Sequence, residues 1–376
     1  MKNSSLKILA FLLLVTYFGC GQSVLQQSSA QETTTPTQGS QAKELKTAES
    51  TTPTETSPVQ GSATQESTKQ QQSEVAPLIS VDDLKKLLEA KTQGLHLLEA
   101  GTDIKVYAGE HLPTARFVHW VTDMTHPEKT NEYMLPDADQ FAKLLSGLGI
   151  KNGERIVIYD RLSSRLSTRL YWTLKYYGHE QVQVLDGGFG AWRLKHKTSS
   201  EVSVAKASEY EIVATEDEIL AEIQFIKECL ADPDARTIDG RPSVQFSGKE
   251  SGRVFHTGKE HSRRGHIPGA VNIFWKDNFN EDGTFKTVEE LDKIYRNAGI
   301  LPDQCVVTYC NEGLHAAPPW FVLTVLLKYE KVKLYDRSMA EWAESDSPME
   351  ETKEKDGSPK AKETRKAVEM KAAEKQ

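Results

Sequence analysis

A long internal repeat constrains the fold of this chain more strongly than any other feature of its sequence. The apolar run that ends at Asp160 matches the run that ends at Cys310, and the same residue types flank both runs at equal distances. The matched landmarks are Gly149 and Gly299, Asp186 and Asp336, Trp192 and Trp342, and the histidines of His111-Leu-Pro and His266-Ile-Pro, each nine residues before a tryptophan. Such a repeat is too long for a solenoid, so it predicts two copies of one domain, over residues 77–200 and 213–344.

Both copies have the sequence pattern of an α/β domain. Apolar runs at 155–159, 183–185, 306–309 and 332–335 alternate with amphipathic stretches of helical period. Short, nearly continuous apolar strands between helices are typical of a parallel sheet covered on both faces. We therefore expect each copy to be a parallel sheet flanked by helices.

The first 22 residues have the pattern of an export signal. Lys2 and Lys7 precede an apolar run, and Gly19 and Cys20 follow it. A cysteine in this position resembles a bacterial lipobox, which implies that Cys20 is lipidated and anchors an exported protein to a membrane, on its periplasmic or cell-surface side. A plain secretory signal, or a short anchor with an unmodified Cys20, is the alternative.

The segments that flank the repeat are polar. Residues 23–75 contain no aromatic residue and consist largely of Gln, Ser, Thr, Pro and Glu. They cannot bury enough apolar surface to fold, which predicts a disordered tether. Residues 345–376 form a charged tail. The chain carries 46 basic against 54 acidic residues, a balance that argues against a nucleic-acid partner. Separately, we expect the protein to be a monomer.

Several segments resemble a known family. They are Gly265–Ala270, Val306–Ala316 and Leu334–Trp342 in the second copy, and Met134-Leu-Pro and Val184–Trp192 in the first. Together they are similar to two-domain rhodanese-type sulfurtransferases, and Cys310-Asn-Glu-Gly resembles a less common loop subgroup of that family. The resemblance implies thiosulfate or 3-mercaptopyruvate as the anionic sulfur donor, a thiol or cyanide as the acceptor, a persulfide intermediate, and no cofactor.

Cys310 lies in the position of a nucleophile. It follows a buried strand, and Pro318 and Pro319 suit the first turn of a helix, so the residues from Cys310 to His315 form a tight loop before a helix. Gly313 permits a backbone that turns amides inward. Inward N–H groups and the helix dipole are expected to lower the pKa of the thiol, which attacks the outer sulfur of the donor. A buried structural cysteine is the alternative.

The donor-binding residues follow from the resemblance. Asp239-Gly-Arg241 matches the family's Asp-x-Arg segment, so Arg241 is a candidate, together with the loop residues Asn311, Glu312, Gly313, Leu314 and His315. Many members place a second arginine four residues later, where this chain has Gln245. Glu312 opposes a thiolate and an anionic donor unless it points to solvent.

The first copy has Asp160 in place of the cysteine, so we expect it to be catalytically silent. Arg161, Arg165 and Arg169 then either face a cleft between the copies or lie on a solvated helix surface, the more ordinary interpretation.

An insertion in the second copy contains Arg253, Lys259, Arg263 and Arg264, which either supply positive charge to the site or form a solvated loop. His256, His261 and His266 recur every five residues, a spacing that fits no helix face, so we expect no metal site.

Of the other cysteines, Cys229 is expected to be a small core residue. Cys305 begins the strand that precedes Cys310, and roughly 16 Å of extended chain is too far for a disulfide between those two.

Two other classes of function remain open. A rhodanese-like module that binds or displays a persulfide, or senses redox state without turnover, fits Gln245 and Glu312. A phosphatase or arsenate reductase requires an arginine six residues after the cysteine, where this chain has Ala316, and is therefore disfavoured.

Overall fold

Each half of the repeat folds into a five-stranded parallel sheet. The structure is a computed structural model that describes residues 75–126, 135–255 and 257–352. The predicted signal segment with Cys20, nearly all of the predicted tether, Met134, His256 and most of the predicted tail lie outside the described residues. No helix within the described ranges is long and apolar enough to cross a membrane.

The first domain has the strand order β1-β5-β4-β2-β3, and all neighbouring strands are parallel. The strands are β1 (Leu78–Ile79), β2 (Leu95–Gly101), β3 (Arg116–His119), β4 (Arg155–Tyr159) and β5 (Val182–Leu185). The helices are α1 (Val81–Glu89), α2 (Ile104–Gly109), α3 (Trp120–Met124), α4 (Ala138–Gly147), α5 (Arg165–Tyr176) and α6 (Gly188–Lys195).

The second domain repeats this topology, with the parallel order β6-β10-β9-β7-β8. The strands are β6 (Leu220–Ala221), β7 (Ala235–Asp239), β8 (Val271–Asn272), β9 (Cys305–Tyr309) and β10 (Val332–Tyr335). The helices are α7 (Ile223–Cys229), α8 (Ser243–Phe246), α9 (Val288–Asn297), α10 (Ala317–Phe321) and α11 (Ser338–Trp342), with a π-helical turn over Val322–Leu326 and 3₁₀ turns over Asp217–Ile219 and Trp275–Asn278. The predicted pair of parallel α/β domains is confirmed.

The inner faces of the two sheets share one apolar core. Strand residues alternate between faces, so Ile156 and Ile158 of β4 belong to the shared core whereas Val157 packs in a separate core on the outer face. The ring of Tyr171 on α5 contacts the ring of Phe321 on α10 edge-on, with 4.9 Å between ring centroids. The domains are therefore joined by buried apolar surface, which fixes the side chains placed between them.

Two reciprocal hydrogen bonds reflect the repeat across the domain boundary. The N–H of Phe285 donates to the carboxylate of Asp186 in the first domain, and the N–H of Leu135 donates to the carboxylate of Asp336 in the second, each at 2.9 Å. Both aspartates directly follow the equivalent strands β5 and β10. The paired Asp landmarks of the sequence thus hold the two domains against each other.

The repeated histidines have structural positions. His111 and His266 are buried, and the backbone of each pairs with a segment beyond the last helix of its domain, at Ser199 and Glu350. The ring of His266 also stacks on Phe246 at 3.7 Å between centroids.

Candidate active site

Cys310 directly follows β9 and lies at the boundary between the two domains. Its side chain is only 1% exposed. Its Sγ accepts hydrogen bonds from the backbone N–H groups of His315 at 3.1 Å and Glu312 at 3.5 Å. The loop therefore wraps around the sulfur with amide donors aimed at it, an arrangement that suits a sulfur anion.

Ser338, which begins α11, holds this loop in place. Its Oγ accepts from the N–H of Cys310 at 3.0 Å and of Gly313 at 3.1 Å, and it donates to the carbonyl of Tyr335 at 2.7 Å. Ser338 is buried and has a φ of +50°, a left-handed conformation that is costly for a residue other than glycine. The amide of Gly313 is thus directed to Ser338 rather than to the sulfur.

Gly313 is required by the crowding around it. Its φ is +78°, and a Cβ there would lie 2.6 Å from Oδ1 of Asp336 and 2.8 Å from Nη1 of Arg169. The predicted left-handed turn is present, but it serves the packing of the loop against a buried ion pair.

The expected lowering of the thiol pKa is wrong for this structure. Burial raises the pKa of Cys310 to about 11, and negative charge on Glu312 adds to that, while the amides of Glu312, His315 and Ala316 oppose it. Pro318 and Pro319 do occupy the first turn of α10 as predicted. The helix continues into the π-helical turn over Val322–Leu326, and desolvation of the thiolate still outweighs the amides of the loop.

Glu312 is buried and does not point to solvent. Its carboxylate accepts from the N–H of Phe255 at 2.8 Å. Burial raises its pKa to about 8, although Phe255 N–H and the cations Arg165 and Arg169 oppose this. At neutral pH the side chain is largely protonated, so the negative charge that would repel an anionic donor is largely removed.

Arg165 reaches from the first domain to the loop of the second. Its Nη1 lies 2.9 Å from Nε2 of His315. Since a guanidinium can only donate, His315 Nε2 is the acceptor and the ring is neutral. Burial lowers the pKa of His315 to about 3, and the charges of Arg165 and Lys276 act in the same direction. The ring stacks on Trp275 at 5.3 Å between centroids.

Arg165 carries a positive charge without a matching carboxylate. Among the described residues, no Asp or Glu lies within ion-pair distance of it, and its Nε is buried without a hydrogen-bond partner. Burial lowers its pKa, while Asp160, Cys310 and Glu312 raise it by their charges. Its hydrogen bond to His315 places this cation at the end of the Cys310 loop.

The interpretation of these arginines as a solvated helix surface is wrong. Arg169 is fully buried and its Nη1 lies 2.6 Å from Oδ1 of Asp336 in the other domain. Arg161 faces away from Cys310, since its Nε binds Glu99 at 2.6 Å and its guanidinium covers the ring of Phe189. Only Arg165 and Arg169 approach the loop, because they lie one helical turn apart on α5.

Arg241 is buried and tightly bound by its own domain. Its Nε and Nη2 donate to the carboxylate of Asp239, at 2.6 Å for the shortest contact, and Nη2 also donates to the carbonyl of Gly265 at 2.8 Å. These bonds orient the arginine inside the domain and use two of its nitrogen atoms.

The first loop residue belongs to a buried polar network. Asn311 donates to Gln245 at 3.1 Å, and its Oδ1 lies 3.0 Å from Nε2 of His261. Burial lowers the pKa of His261 to about 4, so this histidine is neutral. Leu314, by contrast, packs in the shared apolar core.

The insertion packs against the segment that follows α11. Arg263 donates to the carbonyl groups of Ala343 at 2.9 Å and Trp342 at 2.8 Å, among others in that turn. Arg253 pairs with Glu260 at the surface, and Arg264 reaches the carbonyl of Lys249 at 3.4 Å. Lys259 lies 3.9 Å from Glu344. Arg263 is thus a structural clamp, and the other three meet protein groups at the surface.

The described histidines of the insertion have protein partners. His261 binds Asn311, and His266 Nδ1 lies 2.7 Å from the carbonyl of Phe246. Within the described ranges, no cluster of three or more His, Cys, Asp or Glu side chains is arranged to hold a metal ion.

Asp160 fills the equivalent loop of the first domain with its own carboxylate. Oδ1 accepts from the N–H groups of Leu162 and Ser164, and Oδ2 from those of Leu166 and Ser167, at 2.7 to 3.1 Å. The loops of both copies therefore direct backbone N–H groups inward. In the first copy the carboxylate of Asp160 occupies the position that the sulfur of Cys310 occupies in the second.

The contacts that several residues make with the Cys310 loop carry no signal in local sequence. Ser338, Trp275, Phe255 and Asp336 reach the loop from distant segments. The repeat offers one usable signal, because Arg165 and His315 stand at equivalent positions of the two copies, as do Asp160 and Cys310.

Comparison with known proteins is consistent with this architecture. The family model described as "Rhodanese-like domain" matches residues 80–195 and 223–345. A Mycobacterium bovis protein described as "Putative thiosulfate sulfurtransferase 1" is 36% identical over 273 residues, covering 70% of this chain and 94% of that protein. The "Sulfur carrier protein TtuD" of Thermus thermophilus is 32% identical over 273 residues, covering 70% and 93%.

A solved structure with the same fold is that of SseA from Escherichia coli, described as one of the 3-mercaptopyruvate sulfotransferases. It superposes with a TM-score of 0.61 and 25% identity, and the match covers 70% of this chain and 99% of SseA.

Proposed function

Because this chain belongs to the rhodanese family of sulfurtransferases, we propose that Cys310 accepts sulfane sulfur from a small anionic donor and passes it on through a persulfide. The observation that carries this proposal is the Sγ of Cys310 inside a ring of backbone N–H groups. In the first copy the equivalent N–H groups donate to the carboxylate of Asp160. This supports the suitability of such a loop for binding an anion.

In the first half-reaction the thiolate of Cys310 attacks the outer sulfur of thiosulfate. The new S–S bond forms as the donor's S–S bond breaks, and sulfite leaves with the electron pair. With 3-mercaptopyruvate the leaving group is pyruvate after protonation. In the second half-reaction cyanide or a thiol attacks the outer sulfur and the Cys310 thiolate leaves, so the kinetics are ping-pong.

Arg165 supplies the positive charge that the second domain lacks at Gln245. It has no carboxylate partner among the described residues, its guanidinium donates to His315, and its Cζ lies 5.5 Å from the centroid of the Trp275 ring. An anionic donor beside Cys310 would give the guanidinium of Arg165 a hydrogen-bond partner and offset the cost of burying its charge. The largely protonated Glu312 favours the same outcome, because it leaves the positive charge in excess.

A non-catalytic persulfide carrier or redox sensor is the second candidate. The 1% exposure of Cys310 and its raised pKa favour it, because a donor has to displace covering side chains before attack and few thiolates are present at neutral pH. The positive charge of Arg165 counts against a redox sensor, since a buried cation without a carboxylate partner attracts an anionic donor, which a sensor does not require.

Mass spectrometry with turnover separates the two. We would purify the protein with Cys20→Ser, add thiosulfate or 3-mercaptopyruvate separately, record the intact mass, and then add cyanide. A sulfurtransferase gains one sulfur atom that cyanide removes as thiocyanate in repeated cycles, and Cys310→Ser gains none. A sulfur atom that is gained but not discharged identifies the carrier. No gain from either donor, with the protein folded and Cys310 reduced, overturns the sulfurtransferase and favours the redox sensor.

We also propose that lipid on Cys20 fixes the protein to a membrane and that residues 23–75 act as a tether. This rests on the sequence pattern alone. Globomycin should block processing, and Cys20→Ser should release the protein from the membrane fraction. A wild-type protein found wholly in the soluble fraction would overturn the proposal.

A further inference from the structure

Two further thiols lie at one end of the second sheet, and Cys310 lies at the opposite end. Cys229 is the last residue of α7, and Cys305 is the first residue of β9. Since Cys310 follows the other end of β9, the five steps of extended chain from Cys305 to Cys310 span roughly 16 Å. The pair is thus distinct from the proposed active site.

The pleat of β9 directs Cys305 toward α7. Alternate residues of a strand face the same side, and Val307 and Tyr309 pack in the outer core with Ile226 of α7. Cys229 packs against this same core. Cys305 is also in register with Ala235, the first residue of β7, which the turn after Cys229 leads into.

Both thiols are half-buried and reduced, and they face the same side of the sheet at the same end of it. Cys229 is therefore not an isolated core residue. Interaction with Cys229 lowers the pKa of Cys305, as do the charges of Lys333 and Lys331, and interaction with Cys305 together with burial raises the pKa of Cys229. Such an unequal pair provides one good nucleophile at neutral pH and a second thiol poised beside it.

Cys229 is accessible to a small reagent, and Cys305 is only partly buried. A cavity of about 270 Å³ is lined by Cys229, Asp232, Arg236, Pro268 and Gly269. None of the residues that line it belongs to the Cys310 loop, so chemistry there does not require that loop to move.

We propose that Cys229 and Cys305 are a disulfide-forming site that closes by exchange with a low-molecular-weight disulfide. The thiolate of Cys305 attacks one sulfur of the disulfide, whose S–S bond breaks and releases one thiolate. Cys229 loses its proton and attacks Sγ of Cys305, releasing the second thiolate and forming the Cys229–Cys305 bond. Two protein thiols are oxidised, one external disulfide is reduced to two thiols, and Cys310 takes no part.

The bond would tie the end of α7 to the beginning of β9. It would constrain the unfolded chain between residues 229 and 305 and so raise the stability of the second domain. It would also leave the Cys310 thiol free to react, because Cys305, the cysteine nearest to it in sequence, would be bonded to Cys229.

The test uses the full chain with Cys20→Ser and Cys310→Ser, treated with oxidised glutathione. Cys310 is replaced because no Lys or Arg separates it from Cys305, so both would fall in one tryptic peptide. We expect the intact mass to fall by two hydrogen atoms with no glutathione retained, and the peptide of Cys229 to be linked to that of Cys305 until a reductant is added.

Single variants serve as matched controls. Cys229→Ala should retain one glutathione on Cys305, and Cys305→Ala should react more slowly than Cys229→Ala because the better nucleophile is missing. The melting temperature should rise on oxidation only in the protein with both thiols. A stable glutathione adduct on the two-thiol protein, or two thiols that stay free while the protein is folded, overturns the proposal.

This outcome is independent of sulfur transfer. Cys229→Ala in a chain that retains Cys310 should keep the thiosulfate turnover of the parent protein, whether or not that turnover is high.

Discussion

Arg165 of the first domain donates to His315 of the second at 2.9 Å, and the two residues are 150 positions apart in the chain. Asp160 and Cys310 have the same separation. The tandem copies therefore meet at equivalent positions of their loops, and each copy contributes a different side chain there. The two halves of the repeat thus contribute different side chains to one site, with a cation from the first domain at the end of the Cys310 loop of the second.

Replacing Arg165 should weaken donor use. Arg165→Gln removes a charge-assisted contact worth about 1.5–3 kcal/mol, so kcat/KM for thiosulfate should fall by about 10- to 100-fold. Arg165→Lys should recover part of the loss because it keeps the charge but not the planar fork. The measurement is steady-state thiocyanate formation.

Arg193→Gln is the matched control, since Arg193 lies on the exposed end of the last helix of the first domain, with 64% of its side chain accessible. If Arg165→Gln and Arg193→Gln have the same kcat/KM, Arg165 does not bind the donor.

Glu312 should make stability depend on pH. Its pKa is raised from 4.5 to about 8 in the folded protein by burial. Between these two values the folded state holds a proton that the unfolded state has lost, so wild-type stability falls as pH rises, by at most about 1.4 kcal/mol per pH unit. Glu312→Gln, which keeps an acceptor for Phe255 N–H, should lack this slope.

Urea unfolding of both proteins across that interval provides the measurement. The difference between wild type and Glu312→Gln should grow from the lower to the upper end and then level off. Parallel curves would show that Glu312 ionises normally.

Ser338 should act as a positioning residue for the nucleophile. Ser338→Gly keeps access to a φ of +50° but leaves the N–H groups of Cys310 and Gly313 without their acceptor, which should cost about 1–3 kcal/mol. Ser338→Ala should be less stable than Ser338→Gly, because it loses the same acceptor and keeps the strain of a side chain at positive φ, which glycine relieves.

Kinetics distinguish positioning from stability alone. At a temperature where each variant is fully folded, kcat should fall while KM for the donor changes little. A normal kcat in folded Ser338→Gly would contradict the assigned role.

The buried pair of Arg169 and Asp336 should couple the two domains. Arg169→Met leaves a buried carboxylate without its cation and should destabilise the protein by about 3–5 kcal/mol. Adding Asp336→Asn should restore much of this, because the amide still accepts from Leu135 N–H and carries no charge. Chemical denaturation of the two single variants and the double variant gives the coupling energy.

The exposed pair of Arg296 and Asp292 is the control, and its removal should cost at most about 1 kcal/mol. Additive effects in the buried pair would mean that Asp336 is neutral in the folded protein.

Asp160 should stabilise the silent loop without taking part in sulfur transfer. Asp160→Asn replaces one acceptor oxygen by an NH₂ group that cannot accept, so two buried N–H groups lose their partner, at a cost of about 1–3 kcal/mol. The thiocyanate turnover of the folded variant should equal that of wild type. Lower turnover with unchanged melting temperature would show that the first loop contributes to catalysis.

The sequence by itself determined the two parallel α/β domains, because the period of apolar residues and the spacing of Gly, Asp and Trp landmarks are local features that both copies preserve. It also placed Cys310 after a buried strand and before the helix that Pro318 and Pro319 begin. Those properties depend on neighbours along the chain, and the predicted strands agree with the observed ones to within one residue.

Only the tertiary structure decided the electrostatics of the site. The thiol pKa of Cys310, the protonation of Glu312 and the burial of Arg165 and Arg169 all depend on groups that folding brings from the other domain or from remote segments. A charge is stabilised or destabilised by what surrounds it in space, and desolvation at a domain boundary has no pattern in local sequence. The expected lowering of the pKa of Cys310 was wrong for this reason, since the short loop supplies the amides while the whole interface supplies the burial.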